Sequence, residues 1–164
     1  MTLIDDRLRS IFRQLPTMVC VLTGADEKAL YSATISSLVC VDIDADKPIV
    51  SFVLKKTSTI GSILASNGRF SISVLDVLQT EVSLKYSQPR ERLTLKQFSS
   101  EYAKEGKNFY AIPECFALIE ASVVTIIREF ESDIYIVTVE DSKVDASKTP
   151  LMYSNRKYGL FKEL

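Results

Sequence analysis

"KPIVSFVLKKTSTIGSILASNG" (residues 47–68) changes character halfway along. Ile49, Val50, Phe52, Val53 and Leu54 make an apolar run rich in residues that favour strands. Lys55 and Lys56 follow, then Thr57, Ser58 and Thr59, then a short helical pattern that stops at Asn67-Gly68. Thr57 or Ser58 is the natural N-cap of that helix, which is expected to run to about Ser66. The first turn of a helix leaves backbone N–H groups without partners at the positive end of the helix dipole, and such an end binds anions. Two lysines and three hydroxyls beside it supply what a terminal phosphate needs without a glycine-rich loop. An ordinary capped helix with two solvated lysines has the same spacing, so the stretch alone leaves both readings open.

The hydroxyl-rich strand upstream adds a second feature. "LYSATISSLV" (residues 30–39) reads as one strand, and within it "ATISS" (residues 33–37) alternates Thr34 and Ser36. A strand presenting small polar side chains and backbone edges can lie along a flat polar heterocycle and hydrogen-bond its rim. Beside a phosphate site this describes a nucleotide-like ligand, whereas on its own it also fits a merely polar edge strand.

The whole chain narrows the chemistry. At 164 residues, 46% hydrophobic and 25% charged, it fits a single domain over residues 1–164 with a sizeable core. Twenty Lys+Arg against 21 Asp+Glu give a formal charge of −1, with no basic stripe or tail, so nucleic acid is not an expected partner. No apolar run approaches the roughly 20 residues of a membrane span. The N-terminal "MTLIDDRLRS" has acids where a signal peptide has bases, and a cytoplasmic location is expected. Cys20, Cys40 and Cys115 are widely spaced among apolar or small neighbours, which points to reduced packing residues, with neither a disulfide framework nor a zinc site. There is no histidine. General-base chemistry, His-dependent triads and most metal sites therefore lack their usual residue, and a bound cofactor is the economical alternative.

Periodicity places the other elements. "LIDDRLRSIFRQL" (residues 3–15) is an amphipathic helix ending before Pro16, with Ile4, Leu8, Ile11, Phe12 and Leu15 on one face. "TMVCVLTG" (residues 17–24) is a strand and "ADEK" (residues 25–28) a turn. "RFSISVL" (residues 69–75) is a half-buried strand, and "LDVLQTEVSLKY" (residues 75–86) a helix with Leu75, Leu78, Val82 and Tyr86 on its apolar face. Residues 87–114 read as mostly loop with a short helix near 95–102. "CFALIEASVVTIIREFE" (residues 115–131) and "DIYIVTVEDSKV" (residues 133–144) are long strands joined by a tight connection at Ser132-Asp133. Many short-spaced strands with few helical inserts argue a mainly β fold with helices, an antiparallel barrel or sandwich.

"LPTMVCVLT", "SATISSLVCVDIDADKPIVSFVLKKTSTIGSI", "RFSISVLDVLQTEVSLKYS" and "PLMYSNRKYGLF", in that order, resemble the flavin reductase family of FMN-binding split-barrel proteins over about residues 7–161. The resemblance implies a six-stranded antiparallel Greek-key barrel, usually a homodimer, with flavin near the subunit interface. It places Thr34, Ile35 and Ser36 along the isoalloxazine ring and Ser51, Phe52 and Val53 behind the ribityl chain. Lys55, Ser58 and Thr59 would receive the phosphate. Lys85 and Tyr86 match a Phe-Ala pair of the family, and Tyr158 with Arg156 matches its basic-aromatic tail, either covering the flavin or docking the tail.

Met18 stands where the family has glycine, and Lys47-Pro48 replaces a proline pair. A family Gly-Asp-His that helps place the nicotinamide nucleotide is Phe130-Glu131-Ser132 here, so Glu131 and Ser132 are the substrate-side candidates, or simply a polar turn. The implied cofactor is FMN, with FAD the alternative, and NADH or NADPH the electron donor. No residue is assigned as catalytic, because in such enzymes flavin itself accepts the hydride. The implied activity is NAD(P)H:flavin reduction, supplying a partner monooxygenase. A flavin-binding module without nicotinamide turnover, or a barrel that only binds other proteins, are the competing expectations. Leu151, Tyr153 and Phe161 in the tail offer apolar surface for the homodimer.

Overall fold

The computed structural model describes residues 3–27, 29–87, 93–94, 103–105 and 109–163. Helix α1 (Leu3–Gln14) leads into the short strand β1 (Thr17–Met18), then β2 (Cys20–Ala25), β3 (Ala29–Ile35) and β4 (Val39–Asp42). Strand β5 (Ile49–Lys55) enters α2 (Thr59–Asn67), β6 (Arg69–Val74) follows at once, and α3 (Thr80–Ser87) comes next. Three short strands, β7 (Leu93–Thr94), β8 (Ala103–Glu105) and β9 (Phe109–Ala111), precede the long pair β10 (Ala117–Ile127) and β11 (Ser132–Val144). The tail forms a small hairpin, β12 (Met152–Ser154) and β13 (Lys157–Gly159).

The main sheet runs in the order β4-β5-β11-β10-β6-β2-β3-β7, with every pairing antiparallel. Eight strands stand where the resemblance implies six. The six long ones form the body of the sheet, and β4 and β7 are short edge additions. The β10–β11 ladder is bulged twice, by the extra residue Glu140 of β11 opposite Glu120–Ala121 and by Val124 of β10, which lets a sheet of this length curl around a core.

Alternation along β2 explains why that strand reads as nearly all apolar. Cys20 and Leu22 enter one cluster with Phe52, Phe70, Ile72 and Tyr135, while Val21 enters a second with Val19, Leu75, Tyr86 and Leu151. At the centre of the first, the Phe52 and Tyr135 rings stack 5.1 Å apart at 5°, and Phe70 meets Phe52 edge-on at 5.6 Å. The second cluster is closed by main-chain bonds that seat Leu151 between Val19 and Leu75. Buried Asp76 adds carboxylate bonds from the N–H groups of Leu78 and Thr149, both at 3.0 Å, tying the entry of α3 to the tail.

Several sequence-based expectations change. Residues 30–39 are two strands, because the chain leaves the β3 ladder at Ser36 and resumes in β4. The helix expected over residues 75–86 begins only at Thr80: Leu75 belongs to the second core cluster and Leu78 is exposed. The β10–β11 connection is residues 128–131, with Ser132 already in strand. Residues 93–94, 103–105 and 109–111 are strand within the segment expected as loop, and the helix expected near 95–102 lies outside the described residues. Cys20 is a packing residue, but Cys40 is exposed on the sheet edge. On α1, Leu8, Ile11 and Phe12 face solvent, as does Leu15 just beyond it, and its C-terminal end is fastened by Asn155 N–H to Arg13 O and by the Ser154 hydroxyl to Gln14 O. Leu151 is buried, which leaves Phe161 as the exposed apolar residue of the three expected in the tail.

Candidate functional site

Strand β5 sends Val50, Phe52 and Leu54 into the core and Ser51, Val53 and Lys55 outward. Its register with β11 sets Ser132 directly opposite Lys55, Ile134 opposite Val53 and Ile136 opposite Ser51. Directly opposite residues share a sheet face. One outward surface is therefore apolar through Val53, Ile134 and Ile136 and becomes cationic and hydroxylic at Lys55 and Ser132, where α2 begins.

Ser58 is the N-cap of α2, in extended conformation (φ −71°, ψ 121°), and its side chain makes no cap bond. The main chain closes the turn: Ser58 N–H donates to Lys55 O at 2.8 Å and Gly61 N–H to Ser58 O at 3.1 Å. Among the described residues the Ser58 hydroxyl and the first-turn amides of Thr59 and Ile60 have no acceptor. The two lysines divide. Lys56 donates from Nζ to Arg128 O at 3.0 Å across the β10–β11 connection, whereas Lys55 is exposed beside the helix mouth. Thr59 is exposed as the first helical residue.

Tyr135 fixes how deep α2 sits. Its hydroxyl donates to Gly61 O at 3.1 Å, and a Cβ on Gly61 would meet that oxygen at 2.8 Å, so the close approach demands glycine. Burial, reinforced by the Asp133 charge, raises the Tyr135 pKa above 10.0 and keeps the hydroxyl a donor at neutral pH. At the far end Gly68 takes the left-handed conformation (φ 70°) and its N–H caps Leu64 O at 3.0 Å.

The end of β3 approaches the same surface. Ser37 Oγ accepts from Val53 N–H at 3.0 Å and lies 3.3 Å from Val53 O, replacing the ladder partner that β4 does not provide at this point. Thr34 donates its hydroxyl to Ser83 O at 2.8 Å, Ile35 is buried in the barrel core, and exposed Ser36 has no side-chain bond among the described residues. Ser83 also meets the tail, its Oγ 2.9 Å from the Tyr158 hydroxyl. The Tyr158 ring lies 5.2 Å from that of Tyr153, and Lys85 Nζ stands 5.4 Å from the centre of the Tyr86 ring.

The structure thus gathers Ser51, Val53, Lys55, Ser58, Thr59 and Ser132 on one face and its helix mouth, and brings Thr34 and Tyr158 together at Ser83. The side chains of Ile35, Phe52 and Tyr86 are core, because strand alternation or helix packing turns them inward. Glu131 and Arg156 sit exposed in turns, Arg156 with a left-handed φ of 64°. Ser37 and Ser83 escaped the sequence reading. Ser37 lies off the Thr34/Ser36 alternation that drew attention, and a lone serine within a helix carries no signal.

A family model described as "Flavin reductase like domain" matches residues 12–161. The chain belongs to that family. As a member it is an oxidoreductase of the flavin reductase type. No curated protein sequence matches significantly. Among solved structures, the NADH:FAD oxidoreductase SgcE6 of Streptomyces globisporus C-1027 superposes with TM-score 0.86 at 18% identity, covering 99% of this chain and 96% of that one. BorF, the flavin reductase component of a bacterial two-component tryptophan halogenase, gives 0.85 at 20% identity over 98% and 99%. The styrene monooxygenase flavin reductase of Pseudomonas putida S12 gives 0.83 at 19% identity over 96% and 99%. At these identities the likeness is one of fold, and it covers essentially the whole of each chain.

Proposed function

We propose that this chain reduces FMN with NADH or NADPH and hands the reduced flavin to a partner monooxygenase, FAD being the alternative flavin. The observation that carries the reading is the mouth of α2, where Lys55 and the uncommitted Ser58 hydroxyl and first-turn amides converge next to an apolar sheet face. That pairing suits an amphipathic ligand with a dianionic end. When bound, flavin supplies the two-electron acceptor, a role that no ordinary side chain fills.

The chain's own residues bind and orient. Lys55, Ser58 and Thr59 hold the phosphate, and Val53 and Ser51 line the ribityl chain. The backbone of Ile35 and Phe52 serves where their side chains cannot. Thr34, Ser36 and Tyr158 border the ring, with Lys85 and Tyr86 behind them. Ser132 contributes a hydroxyl opposite Lys55, while Glu131 and Arg156, in exposed turns, are free to meet the nicotinamide nucleotide.

Ser132 also supports a second reading. Standing opposite Lys55, it belongs to the phosphate end, which favours a flavin-binding module without nicotinamide turnover. One titration separates the two. The reductase reading expects FMN to bind and NADH or NADPH to be consumed once flavin is added; FMN binding with neither nucleotide oxidised selects the module. Lys55→Ala and Ser58→Ala should each weaken FMN by about tenfold or more, since a hydrogen bond to a charged group contributes roughly 1.5–3 kcal/mol. Unchanged affinity in both variants would remove the phosphate from this mouth.

The exposed apolar residues Leu8, Ile11 and Phe12 of α1 and Phe161 of the tail support a homodimer, expected to elute at twice the monomer mass. Among the described residues no helix is long and apolar enough to cross a membrane. A cytoplasmic setting, where reduced nicotinamide is supplied, fits the proposed reaction.

A further inference from the structure

We infer that Ser83 is a positioning residue of the flavin site, joining the strand that borders the ring to the tyrosine of the C-terminal hairpin; this rests on the flavin reading above. Ser83 is 1% exposed and lies within α3, where serine is a poorer helix former than alanine. A hydroxyl so buried needs a partner, and it has one in Tyr158 Oη at 2.9 Å. The carbonyl of the same residue accepts from Thr34 Oγ1 at 2.8 Å. Three segments remote in sequence, the end of β3, the middle of α3 and β13, are thus tied at one residue.

Each tie constrains a group placed at the ring. The bond to Thr34 fastens the end of β3 to α3 just before the chain leaves the ladder at Ser36. The bond to Tyr158 fixes the outer end of a ring whose side packs on Tyr153, in a hairpin already tightened by left-handed Asn155 and Arg156 (φ 48° and 64°). Loss of the Ser83 hydroxyl leaves the Tyr158 ring to its packing on Tyr153 and the second cluster alone, with its outer end unfastened relative to Thr34. Ser83 touches neither ring nor donor in this arrangement and acts through its neighbours.

The test is FMN affinity, read by quenching of flavin fluorescence well below the unfolding temperature, in wild type, Ser83→Ala, Tyr158→Phe and the double variant. Both single variants should weaken FMN about three- to tenfold, the range of one hydrogen bond. The double variant should bind no worse than the weaker single, because both changes remove the same bond. A structural role alone would lower the melting temperature of Ser83→Ala and leave FMN affinity at the wild-type value in both singles. That result overturns the inference, as would losses that multiply in the double variant. If Ser83→Ala does not fold, Tyr158→Phe and Thr34→Val carry the same expectation from partly exposed positions, and wild-type affinity in both overturns it. Wild-type protein that fails to bind FMN brings down the flavin reading and this inference together. Tight wild-type binding with unaffected variants brings down the inference alone.

Discussion

Gly61→Ala should destabilise the protein although it replaces a poor helix former with the best one. The gain in propensity is about 1 kcal/mol. Against it stands a Cβ that would lie 2.8 Å from the Tyr135 hydroxyl, closer than such atoms approach, while the next neighbours, Tyr135 Cζ at 3.9 Å and Leu54 Cδ1 at 4.0 Å, are ordinary contacts. One oxygen is therefore the whole obstacle. Forcing an extra carbon into a packed site costs about 1–3 kcal/mol, and displacing the hydroxyl forfeits its bond to Gly61 O, about 1 kcal/mol more. The net loss is roughly 1–3 kcal/mol, or several degrees in Tm at about 2–4 °C per kcal/mol for a chain of this size. Removing the oxygen should remove the penalty: Gly61→Ala/Tyr135→Phe is expected near wild-type stability, with Tyr135→Phe alone lower by about 1 kcal/mol. Thermal and urea unfolding of the four proteins measures this cycle. Gly61→Ala as stable as wild type, or a double variant no better than Gly61→Ala, would refute the account of how α2 is seated.

Asp76→Asn should lose about 1–2 kcal/mol at neutral pH, because the Leu78 N–H above all, then Thr149, Val77 and the Lys148 charge, hold the Asp76 carboxyl below its ordinary 3.8. A depressed folded-state pKa stabilises above the unfolded value and loses that effect as pH falls through the folded one, so the gap between variant and wild type should close below about pH 4. An equal gap at pH 3 and pH 7 would acquit the carboxylate. Thiol labelling of the native protein should reach exposed Cys40 first and half-buried Cys115 more slowly. Cys20, whose thiol burial pushes up to about 12, should react only on unfolding, and modification of Cys20 in the native state would contradict its place in the core.

What could be read from the sequence was whatever depends on neighbours along the chain. The shift at Lys55 from apolar alternation to cations and hydroxyls marks the strand end and helix start within a residue or two, and Asn67-Gly68 marks the helix stop. Where the reading failed, partners distant in sequence decided. Residues 30–39 have uniform β character, and only the Ser37 bond to Val53, sixteen residues away, shows where the strand breaks. Leu78 sits at helical spacing from Val82, yet Asp76 binds the amides that would have begun the helix earlier, and Leu78 is left in solvent. Phe52 was legible as strand but not by face, since β5 buries one side and presents the other to the candidate ligand. Parity was available: Ser51, Val53 and Lys55 share one face by period two, and Phe52 cannot join them.

That parity also explains why the site lies where it does. The outward face of β5 is apolar at Val53 and ends in Lys55 beside a helix start whose Ser58 side chain makes no cap bond, which is the combination the proposed phosphate-bearing ligand would use. The inward face of the same strand is committed to the rings of Phe52, Phe70 and Tyr135, and Tyr135 in turn sets the depth of α2 through Gly61. The core therefore sets the position of the α2 start, where the proposed phosphate site lies, through one stacked ring and one hydroxyl. On the proposed reading such a site is held by the core before a ligand arrives, and less of the binding free energy goes to ordering the protein.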